Sequence, residues 1–181
     1  ALPNTISNNS CWDIAQDANG NMWFASYGGG VCKFDGRKFT ILDHKKGLPV
    51  DRTRKLLAYK NNIYVGTELG VAIINVITNQ ITVPKGILPH FGVFIVSDFF
   101  FYNNEVYFSA INEGIFKITY KNNSPLIKQV YKYQFAYSLG FYNETIFSGN
   151  KGFIDSFKIQ DLISGKTTSK PFGKSVVWDF A

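Results

Sequence analysis

The stretch Asn21-Met22-Trp23-Phe24-Ala25-Ser26, followed by Gly30-Val31-Cys32-Lys33-Phe34, decides the reading of this chain because it returns. It comes back as Asn62-Ile63-Tyr64-Val65-Gly66-Thr67 with Gly70-Val71-Ala72-Ile73-Ile74. A third copy is Glu105-Val106-Tyr107-Phe108-Ser109-Ala110 with Gly114-Ile115-Phe116-Lys117-Ile118. The fourth and weakest is Glu144-Thr145-Ile146-Phe147-Ser148-Gly149 with Gly152-Phe153-Ile154-Asp155-Ser156-Phe157. Trp23, Tyr64, Tyr107 and Ile146 are spaced by 41, 43 and 39 residues. That period is characteristic of propeller blades, each a sheet of four strands.

Each copy parses into four strands, a to d. Strand a covers 11–16, 54–59, 96–101 and 137–141, and an Asn- or Gly-rich tight turn follows it each time. Asn and Gly tolerate the positive φ that two-residue hairpin turns demand. Strand b carries the aromatic-small pattern, and the Gly at 30, 70, 114 or 152 opens strand c, where a Cβ is poorly tolerated. Strand d is the more polar outer strand, over 39–42, 80–83, 128–132 and 167–172. The prolines at 3, 49, 84, 89, 125 and 171 fall in or beside the d strands and the connections. None interrupts strand a, b or c, where a missing N–H would break the ladder. No stretch sustains helical apolar spacing over three turns.

The expected fold is therefore all-β: a β-propeller fragment of about four four-stranded antiparallel blades plus the first strand of a fifth. Blade boundaries are expected at 1–48, 49–88, 89–133 and 134–172. Residues 173–181 should hold the truncated fifth, because Val177-Trp178-Asp179-Phe180 matches the strand containing Trp12-Asp13-Ile14. A piece of a longer array would leave blade faces uncovered, and self-association through those faces is expected.

Composition agrees with strands and turns. Of 181 residues, 17% are aromatic and only 18% charged, with 16 Gly. No apolar run approaches the roughly 20 residues that span a bilayer, so membrane attachment could come only through other parts of a parent chain. The net charge is +6, but its 19 Lys and Arg are scattered along the chain. That reads as a solvated basic surface and not a nucleic-acid-binding arm. Cys11 and Cys32 form no CxxC motif. Placed on strands a and c, they stand two strand spacings apart, about 9.5 Å, beyond the roughly 7 Å limit for a disulfide. Both are expected free and mostly buried.

Catalytic constellations are thin. His44 and His90 lie in connections without a metal-ligand partner in sequence. There is no Gly-x-Ser-x-Gly elbow. The Gly-Lys pairs at 165–166 and 173–174 lack the earlier Gly of a phosphate loop, since Gln160 and Thr168 stand there. No cofactor or metal is implied. The recurring Trp23, Tyr64 and Tyr107 are expected to pack between blades, as are Trp12, Trp178 and the run Phe99-Phe100-Phe101-Tyr102. Ligand candidates lie instead in the connections entering strand a, where Arg52 and Arg54 could meet an anionic or hydroxyl-rich ligand.

Residues 2–26 carry a more specific signal: Leu2-Pro3, a polar spacer, an apolar strand, then Asp17-Ala18-Asn19-Gly20-Asn21-Met22-Trp23-Phe24-Ala25-Ser26, with Gly28-Gly29-Gly30-Val31 after it. Lys46-Gly47-Leu48-Pro49 announces the second copy. This resembles the two-component regulator propeller repeat, although later copies lose the Asp-x-x-Gly turn and replace the Trp. Relatives of that kind form the extracytoplasmic sensor half of hybrid two-component systems in gut bacteria, ahead of a membrane helix and a histidine kinase. The resemblance implies a periplasmic, non-enzymatic module that perceives a ligand, with an oligosaccharide as the expected partner. Two other readings stand beside it: a propeller-based lyase or glycan hydrolase with its catalytic residues elsewhere, and a purely structural interaction propeller.

Overall fold

The computed structural model describes residues 5–86, 93–132, 138–149, 154–164, 166 and 170–173. It contains four successive sheets, each built on four antiparallel strands lying side by side in chain order, and the third carries a fifth, two-residue strand beside its last one. The first is Cys11–Gln16, Met22–Ser26, Gly30–Phe34 and Phe39–Leu42. The second is Thr53–Tyr59, Asn62–Thr67, Gly70–Asn75 and Ile81–Thr82. The third is built on Val96–Tyr102, Glu105–Ala110, Gly114–Lys121 and Ser124–Tyr131. The fourth comprises Ser138–Tyr142, Thr145–Gly149, Ile154–Lys158 and Lys170–Gly173. The chain divides into two compact units, Ala1–Val96 and Ser97–Ala181.

Hairpin chemistry dictates the local chain reversals. Asn103-Asn104, Asn122-Asn123 and Asn143-Glu144 all take positive φ, the paired left-handed geometry that matches strand twist. Gly30 has φ +69°, and a Cβ there would lie 2.4 Å from the Leu42 carbonyl oxygen, so strand c of the first sheet can open only with glycine.

The expectation of no helix is corrected. Ile159–Ser164 forms a short helix between strands c and d of the fourth sheet, burying Ile159 and Leu162. Six residues are too few to show a helical period in sequence. The segments at 133–137, 150–153 and 174–181, with Gly152, Trp178 and the expected fifth strand, lie outside the described residues, as does His90.

Within each unit two sheets share one core. In the first it is built from Trp23, Val31, Leu48, Leu56, Ile63, Val65 and Ile74 among others. In the second it contains Phe100, Tyr107, Ile115, Leu139, Ile146 and Phe157, with the two helix residues. The recurring strand-b residues Trp23, Tyr64, Tyr107 and Ile146 are all buried. Three expectations of burial are corrected. Trp12 is 49% and Phe101 54% exposed, and Cys11 is exposed, whereas Cys32 is buried. Trp12 lies on the same face of the first sheet's edge strand as the exposed Ile14 and Gln16, and the β-bulge between Cys11 and Asp13 turns Cys11 out beside it. Phe101 alternates away from the buried Phe100 on its own edge strand.

Strand a is an edge strand in every sheet, so one row of its N–H groups lacks a ladder partner. Both units meet this need in the same way. Asp13 accepts the Leu56 N–H at 2.8 Å from the next sheet's strand a, and Asp98 accepts that of Leu139 at 2.9 Å. Each carboxylate also accepts the N–H of its own next residue, Ile14 or Phe99.

The Asp-x-x-Gly-Asn-x-Trp stretch has an equally physical basis. Asp17 is buried and accepts from the N–H groups of Asn19 and Asn21, from the Asn21 side-chain amide, and from Trp23 Nε1 at 2.8 Å. Burial by itself pushes the Asp17 carboxyl up, but the hydrogen bonds together outweigh it and hold the carboxyl below the ordinary value. Asp155 is its converse. It pairs with Ser148 at the position where Val31, Val71 and Ile115 stand in the other sheets, and burial pushes its carboxyl up.

Two sets of outcomes follow. Asp13→Ala and Asp98→Ala should each cost about 1–3 kcal/mol in denaturant unfolding, the penalty for an unpaired N–H in a packed seam. Asp17→Ala should cost at least as much, and the two buried carboxyls should give opposite pH signatures. The folded-state pKa of Asp17 is lowered, so its stabilisation is present above the unfolded value of about 4 and is lost as pH falls through the folded value. The folded-state pKa of Asp155 is raised, so its contribution is fully present below about 4 and is lost as pH rises through the folded value. Unfolding curves of Asp17→Asn and Asp155→Asn across pH 3–7 (roughly the carboxylate range) check both signs.

Candidate functional site

Strand a runs antiparallel to strand b, so the start of a and the b–c turn lie at one end of each sheet. At that end of the first unit the described residues bring together Trp12, Tyr27, Arg52, Arg54, Glu68 and Leu69. The entry segment fixes the first of these turns. Asn8 Nδ2 donates to the Tyr27 carbonyl and the Tyr27 N–H donates to the Ser10 carbonyl, each at 3.0 Å. A Cβ on Gly29 would meet Ser7 Oγ at 2.5 Å, which explains the glycine there. The Asp51 carbonyl accepts from Gly28 and Gly30, and Thr53 Oγ1 accepts the Ser26 N–H at 2.8 Å. These bonds tie the first b–c turn to the connection carrying Arg52.

Bulges then aim the side chains. The register of strand a against strand b slips between Cys11 and Asp13, and again between Thr53 and Lys55. Trp12 and Arg54 are therefore the bulged residues of successive sheets, at equivalent positions. They meet: the Arg54 guanidinium lies 4.4 Å from the Trp12 ring centroid, and Trp12 stacks on Tyr27 at 5.3 Å and 19°. Glu68, on the second b–c turn, takes Arg54 Nη1 at 3.1 Å on one oxygen and the Arg52 Nε on the other. Hydrogen bonding and charge attraction from Glu68 raise the Arg52 pKa further, so the guanidinium stays charged. Trp12, Tyr27 and Leu69 remain partly exposed around this salt bridge, at 38–49%.

The arrangement is a planar aromatic surface beside a guanidinium pair with one carboxylate, carrying one net positive charge. Aromatic faces of this kind take up the apolar C–H face of a ring ligand, and the fork of an arginine donates to hydroxyl or carboxylate oxygens. Arg52 and Arg54, singled out from the sequence, lie together here. Trp12, Tyr27 and Glu68 were missed. A Trp and an Arg at one repeat position of successive copies was the signal available. His44 is exposed and faces Asp51, a partner not evident from spacing. Among the described residues no group of three or more His, Cys, Asp or Glu could hold a metal.

The segment that builds this end of the first sheet, residues 5–28, matches the family model described as two component regulator propeller. No curated protein matches the chain by sequence. Among solved structures, the chain is similar to the extracellular domain of BT3049 from B. thetaiotaomicron, assigned as a hybrid two component system. The TM-score is 0.71 at 16% identity, over 92% of this chain and 25% of that one. The extracellular domain of BT4673 from the same organism gives a TM-score of 0.76 at 16% identity, over 99% of this chain and 25% of that one. The computationally designed protein Ika4 gives 0.56 at 14% identity, over 97% of this chain and 98% of its own. These likenesses establish the fold, and the chain spans about a quarter of the length of the two bacterial domains.

Glu68→Gln should lower stability by about 1–2 kcal/mol, more than Arg52→Ala does, because it leaves two guanidinium groups facing each other. Thermal melts at low and high salt check this, since the excess cost should shrink as salt screens the repulsion.

Proposed function

We propose that this chain is a ligand-perceiving part of the extracytoplasmic sensor region of a two-component system, non-enzymatic in itself, and that its ligand is an oligosaccharide. The observation that carries the reading is the exposed Trp12–Tyr27 stack backed by Arg54 and Glu68. Trp12 does not stand alone, because Tyr27 and Leu69 are exposed beside it at the same end of the sheets. An aromatic plane flanked by a hydrogen-bonding fork offers both parts of sugar recognition, stacking for the C–H face and donors for the ring hydroxyls. The repeat match and the extracellular, two-component setting of the structural neighbours support the sensor assignment and an extracytoplasmic location, with the periplasm as the compartment.

Isothermal titration of the protein against a panel of neutral oligosaccharides tests the reading. At least one member should bind, and Trp12→Ala should weaken it about tenfold or more while costing stability no more than about 1 kcal/mol. A panel without binders, or a binder indifferent to both Trp12→Ala and Arg54→Ala, would overturn it.

A further inference from the structure

The two units place a lysine at the same point and treat it differently. In the first sheet Lys33 lies opposite Trp23 across the b–c ladder, with its ammonium 5.1 Å from the ring centroid. In the third sheet Lys117 lies opposite Tyr107 in the same way, at 5.8 Å. Lys33 is capped by the turn between strands c and d of the next sheet: it donates to the Val76 carbonyl at 2.6 Å and approaches Asn79 Oδ1 at 3.4 Å. In the second unit the short helix Ile159–Ser164 replaces that turn. Among the described residues no carbonyl caps Lys117, whose ion partner is Glu105. In place of the cap there is a cavity of about 340 Å³ lined by Lys117, Thr119, Lys128, Gln129, Ile163 and Ser164.

A second difference adds charge to this opening. Across the c–d ladder Lys33 faces Thr40, whereas Lys117 faces Lys128. Like charges directly opposite one another on adjacent strands are destabilising. Lys128 is exposed, and its side chain makes no hydrogen bond or ion pair among the described residues. Lys117 gives one donor to Glu105 and keeps its others. The remaining polar lining is mostly spent as donor. Thr119 Oγ1 donates to the Leu126 carbonyl, Gln129 Nε2 to the Glu113 carbonyl, and Ser164 Oγ to the Asp161 carbonyl. Each keeps an acceptor oxygen free of these bonds, and Ile163 adds an aliphatic lining.

From this arrangement we infer that the cavity between the c–d strands of the third sheet and the helix of the fourth is a binding site for a small hydroxylated carboxylate, of the sugar-acid class. The carboxylate bridges the Lys117 and Lys128 ammonium groups and relieves their mutual repulsion. The hydroxyls donate to the oxygens of Thr119, Gln129 and Ser164, and the C–H face lies on Ile163. The cavity volume falls at the low end of small-molecule sites, about 300–1,000 Å³, in keeping with a single ring. The inference is independent of the aromatic platform of the first unit.

Isothermal titration of the full chain with D-glucuronate, D-glucose and acetate tests it. Glucuronate should bind saturably, with D-glucose and acetate each weaker by about tenfold or more, the worth of a charged hydrogen bond. Lys128→Gln should weaken glucuronate to the same extent and Lys128→Glu should abolish its binding, both without loss of fold, since the Lys128 side chain has no partner among the described residues. Lys45→Gln, an equal change of net charge on the first unit, should leave glucuronate binding unchanged. Absence of glucuronate binding, equal binding by acetate, or equal loss in Lys128→Gln and Lys45→Gln would each overturn the assignment.

Discussion

An edge strand with unpaired N–H groups is the constraint from which the rest of this structure follows. Each sheet places strand a at its margin, and each such margin needs acceptors from outside its own ladder. Asp13 and Asp98 supply them across the seam to Leu56 and Leu139. A short carboxylate does this well because one oxygen can hold its own backbone while the other reaches the neighbouring strand. The seam is thereby fixed at a definite register, which lets Trp23 in one unit and Tyr107 in the other stay fully buried.

Burying a Trp or a Tyr raises the next requirement, a partner for its polar tip. The first copy answers with Asp17 in the a–b turn, which accepts the Trp23 indole N–H. The third copy has no such Asp. Its Tyr107 hydroxyl donates instead to Glu105 at the start of the same strand, and Lys117 meets the same carboxylate. Desolvation, with the charge of Glu105 added, pushes the Tyr107 phenol far up, so it stays a donor throughout the physiological range. The Asp-x-x-Gly-Asn-x-Trp motif is thus one solution among several to a need the fold imposes on every copy.

This explains which parts were legible in the sequence. The strand-b aromatic, the Gly opening strand c and the Asn turns recur because backbone geometry and burial demand them at each period. They located strands Cys11–Gln16, Asn62–Thr67 and Glu105–Ala110 to the residue. Trp12 was misread because strand a was expected to be covered on both faces, whereas the face of the first sheet that carries Trp12 and Ile14 is exposed. The helix Ile159–Ser164 was missed because a six-residue insertion has no period of its own. Asp155 weakened the fourth copy by standing where the period calls for Val or Ile.

The residues that escape the period share a property. Trp12 and Arg54 occupy one bulge position in successive sheets yet differ in chemistry, and Lys128 stands where the first sheet has Thr40. A repeat fold allows this because the ladder, the seam carboxylates and the buried strand-b residues carry its stability, so the bulges, b–c turns and c–d connections are free to vary without loss of the sheet. Such positions are spaced along the chain by the period and delivered by it to fixed ends and edges. Recognition in this protein is therefore to be sought where successive copies disagree, on a framework that exists because they agree everywhere else.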